Sequence, residues 1–198
     1  MPRLVWAYVR GVDRVNRALG RCAMYLIFVL IGILLWSSVS KTFFLPSLWT
    51  LEMAQFTMVA YYILGGPYSI QLGSNVRMDL FYGQWSPHTR AWVDAFTVLF
   101  LLYFLVVLLL GGLGSMAYSL GYFGMTPSEF YGALISSFFS DGLSGVGEIL
   151  GRMERSPTAW RPYLWPIKLV MCIGIVMMIL QASAEFLRDI GRIRGEEI

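Results

Sequence analysis

With 57% apolar, 16% aromatic and only 14% charged residues over 198 positions, and a mean hydropathy of +0.63, the chain is too apolar for a soluble domain, where about one-quarter of residues are charged. The net charge of +3 gathers at the ends of apolar runs, a distribution that orients a membrane protein and excludes a nucleic-acid binder. Two cysteines, Cys22 and Cys172, and the single histidine, His88, supply neither a zinc set nor a bis-histidine haem. The class is therefore all-α and polytopic.

Residues 1–21 carry Arg3, Arg10, Arg14, Arg17 and Arg21. At ~100° per residue all five point within about 40° of Arg3, opposite Leu4, Val5, Tyr8, Val9, Val12, Val15 and Leu19. That pattern predicts an interfacial amphipathic helix on an anionic leaflet; a basic leader that only orients the next segment is the plainer alternative. A first span follows over 22–44. Ser38-Val39-Ser40 has the small residues of a signal-cleavage site, but the long lead-in and the resumed apolar character of Phe43, Phe44 and Leu45 favour an uncleaved span. The short LPSLW connection makes the first two spans antiparallel neighbours.

The second span, 50–73, is the least uniform. It bears Glu52 and Gln55 near its start, Gly65-Gly66-Pro67 in its second half, and Arg77 with Asp79 beyond its end. About 24 residues without formal charge, at ~1.5 Å each, cover a hydrocarbon core of ~30 Å. At helical spacing Glu52, Gln55, Tyr62, Gly66, Ser69, Gly73 and Arg77 share one stripe, which is costly against lipid and favourable against a protein neighbour. Glu52 reads either as a coupling or substrate carboxylate or as an interface residue near the headgroups. Its place beside Trp49, an interfacial anchor, favours the interface. The Gly-Gly-Pro triplet is the best candidate for a broken helix.

Trp85, Pro87 and Arg90 mark a membrane surface before a third span, 92–118. Asp94 falls in its first turn, and Gly111, Gly112 and Gly114 in its later turns suit a close helix contact. The segment 119–163 is too polar to cross and too apolar for a free loop. Thr126-Pro127-Ser128-Glu129 has the form of a capping box with proline at the first helical position, predicting a short helix to about Phe139. A second short helix follows Asp141. The fourth span, 164–187, places Gly174, Met178, Gln181, Glu185 and Arg188 on one side. Gln181, the deepest polar group, needs a protein partner; Glu185 and Arg188 read as a surface pair. A tail, 188–198, ends the chain.

Arginines concentrate in the N-terminal segment, the 73–94 connection and the tail, so the expected topology is four spans with both termini cytoplasmic and 119–163 outside. The middle of each span is almost wholly Leu, Ile, Val, Phe and Met. A transporter core needs polar groups and paired broken helices at mid-membrane, and an enzyme needs a nucleophile with its base, a metal cluster or a phosphate loop; none can be named. The chain is expected to be no enzyme, to need no cofactor or metal, and to serve a larger complex.

The Trp49…Glu52 opening, the Gly65 to Tyr68 stretch, the Asn75-Val76-Arg77-Met78-Asp79 exit and the Trp160…Pro166…Lys168…Gly174…Leu180-Gln181 series resemble the small membrane subunit of tripartite ATP-independent periplasmic (TRAP) transporters. The resemblance covers all four spans. It departs from the family where His commonly precedes the Val-Arg-x-Asp run and Ser74-Asn75 stand here, and 119–163 is longer than in compact members. It implies a non-enzymatic scaffold in the bacterial inner membrane. Its partners are a large permease subunit holding substrate and sodium sites and a periplasmic binding protein that delivers an organic acid. On that footing Glu52, Gln55, Gly66 and Gln181 pack helices, Arg77 and Asp79 form a polar cluster at the inner surface, and Arg152, Arg155 and Arg161 receive the binding protein. An anchor for another inner-membrane complex, such as a redox enzyme, is the second reading.

Overall fold

A computed structural model describes residues 3–73, 83–122 and 126–195. Among the described residues there are five helices: α1 (Arg3–Phe43), α2 (Thr50–Gln71), α3 (Pro87–Ser119), α4 (Pro127–Ile149) and α5 (Trp165–Ile193). Among the described residues the only extended pairing is a single antiparallel bridge between Arg155 and Tyr163. The polypeptide is all-helical, as composition and periodicity require.

The helices form an open array organised on α5. Helix α1 packs along α2, α2 along α5 and α5 along α3, while α1 touches α5 over a shorter stretch and α3 makes no comparable contact with α1 or α2. Centrality explains why α5 is the most buried of the long apolar helices. Its inward positions are small or compact, Cys172, Gly174, Ala182, Ala184 and Gly191 among them, so neighbouring backbones approach closely without a hydrophobic driving force. A Cβ on Gly174 would collide with Ile63 of α2, and one on Gly20 of α1 would collide with Tyr68. The α3–α5 seam is Leu105, Ile175 and Ala182, flanked by Val98, Leu101, Leu102, Leu109, Met171, Met178 and Ile179; the α3 members recur every three or four residues, as a helix seam does.

Helices α1, α3 and α5 are long and apolar enough to cross a membrane. Helix α2, 22 residues long, has the length, about 33 Å at ~1.5 Å per residue, but falls short in apolarity.

Two expectations about helix boundaries need correction. Residues 1–21 and 22–44 are not an in-plane helix followed by a span: Arg3–Phe43 is one helix of 41 residues, about 60 Å long. Nothing between Arg17 and Met24 breaks a helix, and the change from amphipathic to apolar pattern marks a change of surroundings, not of backbone. The arginine face is exposed as predicted, whereas Val9, Asn16, Gly20 and Ala23 are buried. The Gly65-Gly66-Pro67 triplet does not interrupt α2 either, which continues through Pro67 to Gln71. Proline has no N–H for the carbonyl four residues back, which is that of Ile63. This carbonyl faces Gly174, where an added Cβ would lie 3.0 Å from its oxygen. Packing against α5 thus holds a helix that local propensity would break.

The remaining ends follow their capping chemistry. Ser86 accepts from Thr89 N (3.2 Å) to start α3, five residues before the expected start. The predicted capping box of α4 is formed, with Glu129 accepting from Thr126 N (3.1 Å). Gly142, at φ +64°, kinks α4 where two short helices were expected. Helix α5 runs on to Ile193, into what the sequence reading set apart as a tail.

Candidate functional site: polar clusters at the two ends of the array

Polar side chains gather at the two ends of the helices and leave the middle apolar. At the end that carries both termini, Gln181 is fully buried and Asn16 is 1% exposed. Asn16 Nδ2 donates to Gln181 Oε1 (2.6 Å), and Gln181 Nε2 donates to Asp13 Oδ1 and Glu185 Oε1 (both 3.1 Å). Arg188 pairs with both Asp13 and Glu185, Gln71 donates to the Asp13 carbonyl (3.3 Å), and Tyr8 bonds Ser183 (2.7 Å). This network ties α1, α2 and α5 together. Tyr8 and Asn16, about 12 Å apart along α1, both reach residues 180–183 of α5, so α1 crosses α5 obliquely instead of running beside it.

Gln181 therefore has the protein partner it was expected to need. Arg188 is not in a surface pair with Glu185 alone: it bridges two carboxylates on two helices, and the side chains are only 16–20% exposed. Asp13 and Asn16 were missed by sequence reasoning. The available signal was Asn16 interrupting the face of α1 opposite its arginines, with Asp13 at the margin beside Arg17, which asks for protein, not lipid.

At the opposite end, the 150–164 connection clamps three helices. Glu154 accepts from Ser119 Oγ of α3 (2.6 Å) and Lys168 Nζ of α5 (2.7 Å), and Lys168 also reaches the Ser115 carbonyl (3.2 Å). The lysine hydrogen bond, then that of Ser119, holds the Glu154 carboxyl below its ordinary range against a smaller opposing effect of burial. Glu52, 3% exposed, accepts from Ser156 Oγ (2.6 Å) and from the Thr158 hydroxyl through the same oxygen. It thereby pins the connection to the first turn of α2, where a carboxylate is favoured by the free N–H groups. A turn closed by Ser156 N donating to Pro162 O (2.9 Å) carries Arg161 at φ +51°. Arg152, Arg155 and Arg161 line one cleft of about 680 Å³ with Tyr118, Glu154 and Tyr163, and Arg155 both bonds and stacks on Tyr163, 4.4 Å from its ring centre.

The remaining site residues are divided. Gly66 packs on α5, where an added Cβ would lie 2.9 Å from Met178 Sδ. Gln55 and Tyr62 are exposed while Glu52 is buried, so the predicted stripe does not face one neighbour within this chain. Arg77 and Asp79 lie outside the described residues. A second cleft, about 630 Å³, opens between α2, α3 and α5 at the termini end, lined by Gln71, Asp94, Thr97, Glu185, Asp189 and Arg192 among others. Among the described residues no three His, Cys, Asp or Glu side chains stand close enough to hold a metal ion.

An integral membrane protein whose buried polar side chains bond chiefly to one another at two rims, with only Asn16 Oδ1, Glu52 Oε2, Gln71 Oε1 and the Tyr122 hydroxyl left over among the described residues, is built to hold a shape. The family model for tripartite ATP-independent periplasmic transporters, DctQ component, matches residues 30–140, more than half of the chain, and the chain belongs to that family. It is a small subunit of a TRAP transporter complex, a transport component, and the redox-anchor reading is not favoured. Comparison with curated proteins and with solved structures gives no match.

Proposed function

We propose that the chain is the fixed scaffold of its transporter in the bacterial inner membrane. It has four spans, α2 being the second, and both termini are cytoplasmic. A larger permease subunit carries the substrate and coupling-ion sites, and the cargo is an organic acid bearing a carboxylate, taken up with sodium. The observation that carries the scaffold reading is the distribution of polar atoms. Glu52, the one carboxylate in the α2 span, is held through Oε1 by Ser156 and Thr158 while its buried Oε2 has no partner among the described residues, and Gln181 is held by Asn16, Asp13 and Glu185. Between them the seams are Leu, Ile, Val, Met, Ala, Gly and Cys172, with Thr57 bonded back to the Met53 carbonyl of its own helix. A solute path needs polar groups at mid-depth. The open array, with α3 joined chiefly through α5, leaves broad faces of α1 and α3 for lipid and for a larger companion.

The cleft of Arg152, Arg155 and Arg161 is assigned to the periplasmic binding protein. Three guanidinium groups on one wall favour an acidic surface and speed its encounter. Gln55 and Gly66, with Arg77 and Asp79, remain assigned to helix and subunit packing. The test is extraction in mild detergent followed by uptake. The chain is expected to co-purify with a larger polytopic subunit, and uptake is expected to stop when either is deleted. Replacing Arg152, Arg155 and Arg161 together by Glu is expected to weaken the response to added binding protein while the amount of assembled membrane complex stays unchanged. Recovery of the chain alone, with uptake intact in its absence, would refute the assignment.

A further inference from the structure

Helix α4 has a feature that scaffolding leaves unused. Its feet stand on the rim of α3: Phe130, 1% exposed, packs with Ala117 and Leu120, and Ile149 and Leu150 join the same cluster. Pro127 lies against Gly114, and the Tyr131 hydroxyl donates to the Leu113 carbonyl (2.9 Å). Leu113 ends the apolar run of α3, and Ser115, two residues on, is where the Lys168 ammonium sits. The feet of α4 therefore stand at the polar boundary of the spans and not above it.

From this foothold the helix extends to Gly142, turns, and returns, with Gly145 against Ser137. Along its first leg, Tyr131, Leu134, Ile135, Phe138 and Phe139 fall on one arc at ~100° per residue, Ser136 and Ser140 on the other, and Asp141 at the boundary beside Leu134. The near part of the apolar arc, Tyr131 and Leu134, is packed on the α3 rim. The far part is bare: Ile135 and Phe138 are more than half exposed, and Phe139 and Leu143 are each 82% exposed. Ile135 and Phe138 lie on the same side of the helix as the packed Tyr131 and Leu134, Phe139 lies at the edge of that arc, and Leu143 follows the Gly142 turn. Residues 127–151 contain three acidic and no basic side chains, so any hold on a leaflet rests on apolar burial and not on attraction to anionic headgroups.

We propose that α4 is a membrane-surface hairpin whose partner is the lipid bilayer. Ile135, Phe138, Phe139 and Leu143 enter the acyl-chain boundary of the leaflet at that end, and Ser136, Ser140, Asp141 and Ser144 face water. The hairpin widens the footprint of the subunit and fixes its tilt. This rests on the chain spanning the membrane and on no statement about cargo or binding protein.

The test uses the full chain with the subunits it is extracted with, in phosphatidylethanolamine and phosphatidylglycerol vesicles. Cys22→Ser and Cys172→Ala clear the background, and a polarity-sensitive fluorophore is placed through Phe139→Cys, Ser140→Cys or Leu143→Cys. The labels at 139 and 143 are expected to emit at shorter wavelength than that at 140, and to be quenched several-fold more by lipids spin-labelled near the headgroup. Labels at 139 and 143 that emit as in water overturn the proposal. So do labels that are shielded yet indifferent to spin-labelled lipid, which places a protein on the hairpin. Leu143 reports independently if replacing Phe139 prevents assembly.

Discussion

Gln181→Leu isolates the hydrogen-bonded seal at the termini end while keeping side-chain volume. Gln181 takes part in three hydrogen bonds, with Asn16, Asp13 and Glu185. Membrane hydrogen bonds average ~0.6 kcal/mol each, so the direct loss is about 2 kcal/mol. The substitution also strands the Asn16 amide at 1% exposure, and an orphaned buried polar group adds about 1 kcal/mol or more. Asn16→Leu strands Gln181 Oε1 in the same way. The double variant removes both orphans and loses the shared hydrogen bond only once, so its destabilisation is expected to fall short of the sum of the singles by about 2–3 kcal/mol. The assay is reversible unfolding by SDS in mixed micelles, followed by tryptophan fluorescence. Single variants as stable as the parent, or a strictly additive double, would refute the reading of Asn16–Gln181 as a buried, mutually dependent pair.

Gly174→Val and Gly20→Val are expected to reduce the amount of folded protein, since overpacking costs about 1–3 kcal/mol. Gly32→Val, where an added Cβ meets nothing within 4 Å, is the matched control in quantitative detergent-extraction yields. Glu52→Leu is expected to lower the yield of assembled complex, with substrate affinity of the surviving complex unchanged, and Glu52→Gln to lower it less because Gln keeps an acceptor for Ser156 and Thr158. A large affinity change at normal assembly would return Glu52 to the transport site. Glu154, held below its ordinary value of 4.5, contributes stability that is complete above that value and lost as pH falls through its lowered folded value. Thermal melts are therefore expected to drop at acid pH, and Lys168→Met is expected to flatten that part of the profile.

Long apolar runs and their polar punctuation made the helices legible, down to the Thr126–Glu129 capping box and the division of α4 near Asp141. What the sequence could not show was long-range compensation. Gly65-Gly66-Pro67 reads as a break because the propensities of Gly and Pro are local, whereas the partner that keeps α2 helical, Gly174, is more than a hundred residues away. Arg21-Cys22 reads as a boundary because solvent preference changes there, yet the backbone has no reason to bend. The role of Asp13 was hidden among arginines, because its partners Gln181 and Arg188 meet it only when α1 crosses α5. Glu52 was assigned to packing on the strength of Trp49 alone, and its partners, Ser156 and Thr158, come from a connection whose path no periodicity encodes.

The most direct measurement of the central claim is uptake into sealed vesicles that contain this chain alone, tested with a panel of small organic acids under an inward sodium gradient. No saturable uptake is expected, and adding the large permease subunit and its binding protein is expected to produce it. Saturable uptake by the isolated chain would contradict the account, because the apolar seams between its two polar rims would then have to admit a hydrophilic solute.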